Sequence, residues 1–326
     1  MLKQQREFSS FYYRPNPLFN ENETISTCQL QVSNTRRKNT AMDYIRIGER
    51  IIEDPVERDS IIVQHFEKLY SSTVNLFPNT DFIPQKTIDM QLPENRMSMQ
   101  DITEEEINIA IKQSQSKKSP GLDGLTRDFY VKAWPIIKTE FSFVLNDAID
   151  CNIPKKFSDG IIVPIKKKTT VDSLDGFRPI SLLNFDYKCF TKVMKNRLIK
   201  VTPFLMTEYQ KCSNKNKTIH EGLCAIRDEI TNSIFKKRPA AVISFDLAQA
   251  FDRVEPRYVE DIILKMGLNP RFINLYKSLT GNFYSRILIN GNLSDEIKIS
   301  RSVRQGDPLS MILFVLQLEP FIQKLG

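Results

Sequence analysis

The stretch VISFDLAQAFDRV, residues 242–254, sets two carboxylates, Asp246 and Asp252, on either side of a small apolar segment. Val242, Ile243 and Phe245 are β-branched or aromatic, and Lys236-Lys237-Arg238-Pro239 before them reads as a polar turn. The spacing predicts a short buried strand that ends at Asp246. A carboxylate at a strand end suits two tasks, ligating a divalent cation or capping the next helix. The two aspartates make a poor metal pair, because one ends a strand and the other lies a turn and a half into the following segment. Asp252 reads as a cap or brace for the helix after it. Cys212, His220 and Cys224 also carry metal-binding atoms, but their spacing fits no standard zinc finger and a fourth ligand is missing. The five cysteines are scattered and odd in number, so they suggest no disulfide framework, a reducing compartment and ordinary buried thiols.

The elements that position these residues follow from periodicity and breakers. Residues 1–40 are polar and lack periodicity, and read as disordered or linker sequence. Asp54, Pro55 and Glu57 then start a helix near 54–70, with Val56, Val63, Phe66 and Tyr70 on one face. Residues 71–100 read as loop, broken by Pro78, Pro84 and Pro93. Thr103-Glu104-Glu105-Glu106 is a capping box that opens a helix through about Ser116. Two turn signals, Pro120-Gly121 and Asp123-Gly124, precede a helix marked by Phe141, Val144, Leu145 and Ala148 and ending near Cys151.

Next come two strands, 160–166, where Pro164 argues for an edge position, and 177–183. Helical patterns fill 184–235, and a further helix is expected from about Gln249 to Met266. Asn290-Gly291 predicts a hairpin turn. Gly306, Asp307 and Pro308 turn a strand into a helix whose apolar residues, Met311, Leu313, Phe314, Val315, Leu316, Leu318 and Phe321, are too many for one buried stripe. Strands and helices alternate without a repeated βαβ period, so the class is α+β.

Charge and hydropathy narrow the partners. Residues 151–238 hold 18 basic and 8 acidic side chains, which more than accounts for the formal +7 of all 326 residues. A surface of that sign attracts polyanions, nucleic acid first among them. No apolar stretch is long enough to span a bilayer, and Met1–Pro17 has no apolar core of a secretory signal, so a cytoplasmic or nuclear location and no membrane partner are expected.

KSPGLDG at 118–124, IIVPIKK at 161–167, FRPISLLN at 177–184, YQKCSNKNKTIHEGL at 209–223, FDLAQAFDRV at 245–254 and VRQGDPLS at 303–310 stand in one order along the chain. In that order they resemble the motifs of reverse transcriptases, most of all those of LINE-type (non-LTR) retrotransposons. The resemblance runs from about Asp101 to Gly326, and the 54–70 helix is similar to the linker upstream of the polymerase in that family. It implies a fingers region at 101–238 and a partial palm at 239–326, with 1–100 as the linker region. It implies Asp246 as a catalytic ligand of Mg²⁺, with the Leu247 carbonyl beside a second metal. Phe251 then corresponds to the steric gate against a ribose 2′-hydroxyl. Lys166 and Arg178 correspond to the triphosphate-binding cations, and Gln305 and Gly306 to the loop under the nucleotide and template base. The family's partners are an RNA template, a DNA primer and deoxynucleoside triphosphates.

Three positions depart from the family: Gln249 stands where it has lysine, Ser302 where it has glycine, and Lys217 where it has arginine. The family's second catalytic motif, a hairpin with two adjacent aspartates, has no counterpart, because no Asp-Asp pair occurs in these 326 residues. The expectation is therefore a truncated LINE-type reverse transcriptase with an incomplete catalytic set, inactive alone. Two alternatives stay open: a non-catalytic nucleic-acid-binding remnant, and an unrelated Mg²⁺-dependent phosphotransferase that pairs Asp246 with Asp252.

Overall fold

The computed structural model describes residues 41–72, 88, 92–97, 100–154, 156–167, 173–213, 217–281 and 283–325. The expected disorder at 1–40 and the prolines Pro78 and Pro84 lie outside them. A small hairpin, β1 (Ile45–Ile47) with β2 (Arg50–Ile52), leads into helix α1 (Pro55–Tyr70). Asp54 caps that helix by accepting from the Glu57 N–H at 2.8 Å, as its sequence requires. Its buried face is Arg58, Ile62, Phe66, Leu69 and Tyr70, whereas Val56 is 80% exposed. The face is thus rotated from the predicted one: Val56 lies in the first turn, beyond the surface that the helix covers. Pro93 opens a one-turn helix, α2 (Pro93–Met97), where a loop was expected, because proline is well suited to a first helical position.

Helix α3 (Glu104–Gln113) carries both bonds of the Thr103–Glu106 capping box, and Ser114 ends it two residues before the predicted stop. Helix α4 (Arg127–Ile149) follows the turn-rich loop 117–126. That loop is held by glycine: a Cβ on Gly121 would lie 2.2 Å from Asn184 Oδ1. The Asp123 N–H donates to the same Asn184 oxygen, so only a residue without a side chain lets the loop close on the start of the next helix.

Strands β3 (Gly160–Lys166) and β4 (Phe177–Leu183) pair antiparallel along their whole length, Lys166 facing Phe177 and Ile165 facing Arg178. Helix α5 (Phe185–Leu205) follows, burying Tyr187, Phe190, Val193, Met194 and Leu198 and packing on α2 and α3. Helix α6 (Ile219–Phe235) comes next, followed by α7 (Pro256–Lys265) and α8 (Pro270–Gly281). Strand β5 (Phe283–Ile289) runs parallel to β3 through Gly160–Ile162. β6 (Asn292–Leu293) and β7 (Ile297–Ile299) pair antiparallel with β5, and helix α9 (Ser310–Leu325) ends the described chain. The sheet order β4-β3-β5, with β6 and β7 beyond, makes β3 interior, contrary to the edge expected from Pro164. Proline is tolerated there because β5 pairs only with Gly160, Ile161 and Ile162, leaving Pro164 a single neighbour, Pro179. Asn290 and Gly291 have φ of 48° and 93°, the left-handed pair that the hairpin signal demands. The α+β expectation holds.

Three expectations fail for physical reasons. No strand forms at 242–245, where Val242, Ile243 and Phe245 are 66%, 72% and 74% exposed. A strand is a shared structure, and among the described residues none pairs with this segment. The helix expected from Gln249 starts only at Pro256, because Gln249 itself has φ of 53° and residues 248–253 are turns. The apolar surplus of α9 is largely absorbed: Ile312, Leu313, Val315 and Leu316 are buried against α5 and α7, and Phe314 stacks on Phe251 with centroids 4.8 Å apart. Met311 and Phe321 stay exposed. The thiols divide too, with Cys189 buried but Cys212 and Cys224 exposed.

The loop 302–307 stores backbone strain. Ser302 has φ of 134° and is buried, its N–H donating to the Val254 carbonyl at 2.9 Å. Gly306 has φ of 125°, and a Cβ there would sit 2.5 Å from the Ser181 carbonyl oxygen. Ser302→Gly should therefore stabilise the chain by about 1 kcal/mol, the relief of strain outweighing glycine's extra freedom when unfolded. Gly306→Ala should destabilise it by more than that. Urea denaturation of both variants checks the opposite signs; equal midpoints would contradict the strain at these two positions.

Candidate functional site

A cleft of about 890 Å³ opens between α1, the β3–β4 connection with the start of β4, and the turn 246–253. Arg178, Asp246, Leu247, Phe251 and Gln305 all line it, so the fold brings together five of the residues singled out from separate motifs. Lys166 and Gly306 do not line it. Lys167 does, one position further along the chain than the predicted cation. The Lys167 ammonium donates to the Asp175 carbonyl at 2.7 Å, which ties the end of β3 to the one-turn helix Leu174–Gly176 leading into β4. Gly306 acts behind the wall, where its missing side chain lets the loop touch Ser181 while the Ser181 N–H donates to the Gln305 carbonyl at 2.7 Å.

The two aspartates have opposite environments. Asp246 is exposed, in a segment without regular structure, and makes no hydrogen bond or ion pair among the described residues. Asp252 is 3% exposed and fully engaged. It accepts from Gln305 Nε2 at 3.0 and 3.3 Å on its two oxygens, and from the Tyr70 hydroxyl. Burial pushes the Asp252 carboxyl up to about 6, although Gln305, Lys167 and Tyr70 each favour its ionised form. Asp252 therefore does not cap or brace the following helix, whose N-cap is Glu255; it holds Gln305 instead. Tyr70 was missed. Its signal, a tyrosine at the end of an amphipathic helix, was read only as core.

Phe251 is fixed from behind by its stack on Phe314. Gln249, where the family has lysine, donates to the Asp175 carboxylate at 3.3 Å and so joins the 246–253 turn to the opposite wall. Arg304 was also missed. It is 4% exposed, its guanidinium lies 4.0 Å from the Phe283 ring centroid and 4.6 Å from that of Tyr187, and it donates to the Ser158 carbonyl. The Tyr187 hydroxyl donates to Asp307 at 2.9 Å, and the Leu309 N–H donates to the same carboxylate. Asp307 thus caps the turn as expected, while α9 begins two residues beyond Pro308.

The basic region 151–238 is less uniform than its composition. Arg197 is buried in a bidentate pair with Glu106, at 2.7 Å on both bonds, and Lys188 is held below the ordinary lysine range by burial. Lys156, Arg178, Lys167 and Lys200 remain exposed; Lys155, Lys168 and Lys215 lie outside the described residues. No group of three or more His, Cys, Asp or Glu placed to hold a metal occurs among the described residues, and Cys212, His220 and Cys224 form none. Of the two exposed carboxylates that line the cleft, Asp175 accepts from Gln249, and Asp246 makes no hydrogen bond or ion pair among the described residues. One carboxylate and a neighbouring carbonyl fit a water-rich Mg²⁺ that substrate phosphates complete, but they do not fit a two-metal site. Asp252 cannot supply the second ligand while both its oxygens hold Gln305. That occupancy removes the support for the unrelated phosphotransferase alternative.

Lys167, just past β3, and Arg178 on β4 thus face a carboxylate-bearing turn across one cleft. Residues 165–326 match the reverse transcriptase (RNA-dependent DNA polymerase) family. Over 222 residues the chain is 31% identical to the "Transposon TX1 uncharacterized 149 kDa protein" of Xenopus laevis, covering 68% of this chain and 17% of that protein. It is 26% identical over 276 residues to the "Probable RNA-directed DNA polymerase from transposon BS" of Drosophila melanogaster, covering 82% and 30%. A type-1 element R2 Pol polyprotein of Nasonia vitripennis matches at 24% over 220 residues, covering 67% and 21%. The chain belongs to the reverse transcriptases of non-LTR retrotransposons, and it spans less than a third of the length of these relatives.

The raised Asp252 carboxyl has a pH signature. The folded chain keeps that proton up to about pH 6, whereas the unfolded chain releases it near the ordinary value of 3.8. Stability is then full below the unfolded value and is lost as pH rises through about 6, at roughly 1.4 kcal/mol per unit of difference. Asp252→Asn removes the titration. Denaturation between pH 4.5 and 7 should show a flatter pH dependence for the variant; the same slope in both proteins would place the titration elsewhere.

Proposed function

We propose that these residues form the fingers and the nucleotide-facing part of the palm of an RNA-directed DNA polymerase, and that this chain alone binds nucleic acid and nucleotide without polymerising. The observation that carries the reading is the single cleft in which Arg178, Asp246, Leu247, Phe251 and Gln305 meet, from motifs separated by up to 127 positions (178 to 305). Arg178 and Lys167 bring positive charge to a triphosphate, the first as a planar fork and the second as a point charge. Asp246, with the Leu247 carbonyl, is the candidate Mg²⁺ ligand, and the bound metal would neutralise phosphate charge. Phe251, immobilised by Phe314, presents a rigid ring beside the sugar. Gln305 offers an amide to the nucleotide or template base. Template and primer follow the exposed cations of 151–238.

Catalysis by these 326 residues is not expected, because nucleotidyl transfer by two metals needs further carboxylates than Asp246. With an RNA template, a DNA primer, deoxynucleoside triphosphates and Mg²⁺ or Mn²⁺, the purified chain should give no primer extension. Template-dependent incorporation that disappears in Asp246→Ala would show that the catalytic set is complete after all. Binding should be present and governed by salt. Log affinity for a single-stranded RNA should fall linearly with log salt, and replacing Lys166, Lys167 and Lys168 by alanine should flatten that slope by up to about 0.7 for each phosphate no longer neutralised. Absence of binding at low salt would reject the nucleic-acid reading, and an unchanged slope would move the contact away from this lysine cluster.

A further inference from the structure

The cleft has a support that reaches beyond the sequence motifs, to Tyr70. Gln305 Nε2 is committed to both oxygens of Asp252, at 3.0 and 3.3 Å. A carboxylate only accepts hydrogen bonds, so it forces the nitrogen end of the carboxamide toward itself and leaves the oxygen end as the remaining acceptor. Asp252 is itself held on two sides. Its N–H donates to the Gln249 carbonyl at 3.0 Å, and its carboxylate accepts from the Tyr70 hydroxyl.

Tyr70 is the last residue of α1 and only 3% exposed, stacked on Phe66 one turn earlier. Its carbonyl accepts from the Ser300 and Arg301 N–H groups at 3.0 and 3.1 Å, and Arg301 Nε donates to the Leu69 carbonyl at 2.8 Å. The end of α1 is thus latched to the chain just before the loop that carries Gln305, and it also reaches that glutamine through Asp252. Helix α1 lies outside the matched stretch 165–326.

We propose that Tyr70 and Asp252 are positioning residues which clamp the Gln305 carboxamide in one orientation, so that its oxygen is the atom offered to a ligand's hydrogen-bond donor. The clamp makes the upstream helix part of the cleft's specificity. A free glutamine flips between offering NH₂ and C=O at a given point; a clamped one keeps its C=O at the point that faces away from Asp252, and the site then discriminates against a ligand that presents an acceptor there. The consequence for ligand choice rests on the nucleotide-binding reading above, while the clamp itself is a property of the free chain.

The test uses the full chain with ¹⁵N-labelled glutamine side chains, the Gln305 carboxamide being assigned from its loss in Gln305→Asn. In the wild type its two amide protons should be well separated and should titrate with a midpoint near 6, following Asp252. Asp252→Ala should collapse them to the values of a solvated glutamine and abolish the titration. Asp252→Asn keeps an acceptor oxygen, so it should retain the separation but lose the titration. Tyr70→Phe should raise the midpoint while leaving the melting transition close to wild type, which guards against a merely unfolded variant. A Gln305 signal unmoved by Asp252→Ala or Tyr70→Phe would overturn the clamp.

A second arm measures the affinity for mant-dATP with Mg²⁺. Asp252→Ala should weaken it about tenfold, the equivalent of one hydrogen bond to a charged group, and Asp252→Asn should recover most of it. Equal affinities would remove the clamp from ligand selection. Failure of the wild type to bind would count against the nucleotide reading, with the spectra still deciding the clamp.

Discussion

The contact on which the cleft depends is the docking of the loop 302–307 against two partners at once. On one side the Ser181 N–H bonds the Gln305 carbonyl, and Gly306 lies against the Ser181 carbonyl with no room for a Cβ. On the other, the Ser302 and Val303 N–H groups bond the Val254 and Phe251 carbonyls, both at 2.9 Å. These backbone bonds join strand β4, which carries Arg178, to the turn that carries Asp246 and Phe251. Remove them and the cleft's two walls become independent. The strain at Ser302 is the cost of making both sets of contacts with one short loop.

Buried charge reinforces that junction. Arg304 sits between the Phe283 and Tyr187 rings, Tyr187 donates to Asp307, and Asp252 holds Gln305. Every residue from Arg304 to Asp307 except Gly306 therefore has its side chain engaged with a different element: β5, the 248–253 turn and α5. A buried polar group costs several kcal/mol when unpartnered and contributes about 1 when bonded, so such a network specifies one arrangement more than it adds stability. The loop has little freedom left to move relative to the cleft.

The segment 219–247 contrasts with this. Ile219, Leu223, Ile226, Ile230 and Ile234 recur along one face of α6 and are all exposed, as are Val242, Ile243 and Phe245 after it. Beyond residue 247 most apolar side chains are buried, and α9 is covered by α5 and α7. Asp246 lies in the 219–247 segment, exposed and outside any helix or strand.

What the sequence determined was local. Caps at Asp54 and Thr103, the Asn290-Gly291 turn, the strand pair at 160–166 and 177–183 and the glycine at 306 are set by near-neighbour stereochemistry, and each appears where its residues predict. The order of the motifs likewise identified the family and five of the cleft residues. What only tertiary structure decided was whatever depends on a partner far along the chain. Apolar β-branched residues at 242–245 fit a strand, but a strand exists only where another pairs with it. Lys167 rather than Lys166 lines the cleft. Asp252 became the support of Gln305, 53 positions away, and Tyr70 its second partner from a helix 182 positions upstream (70 to 252). No periodicity records such pairings, because they arise from where separate elements pack and from the need of a buried carboxylate to find its donors.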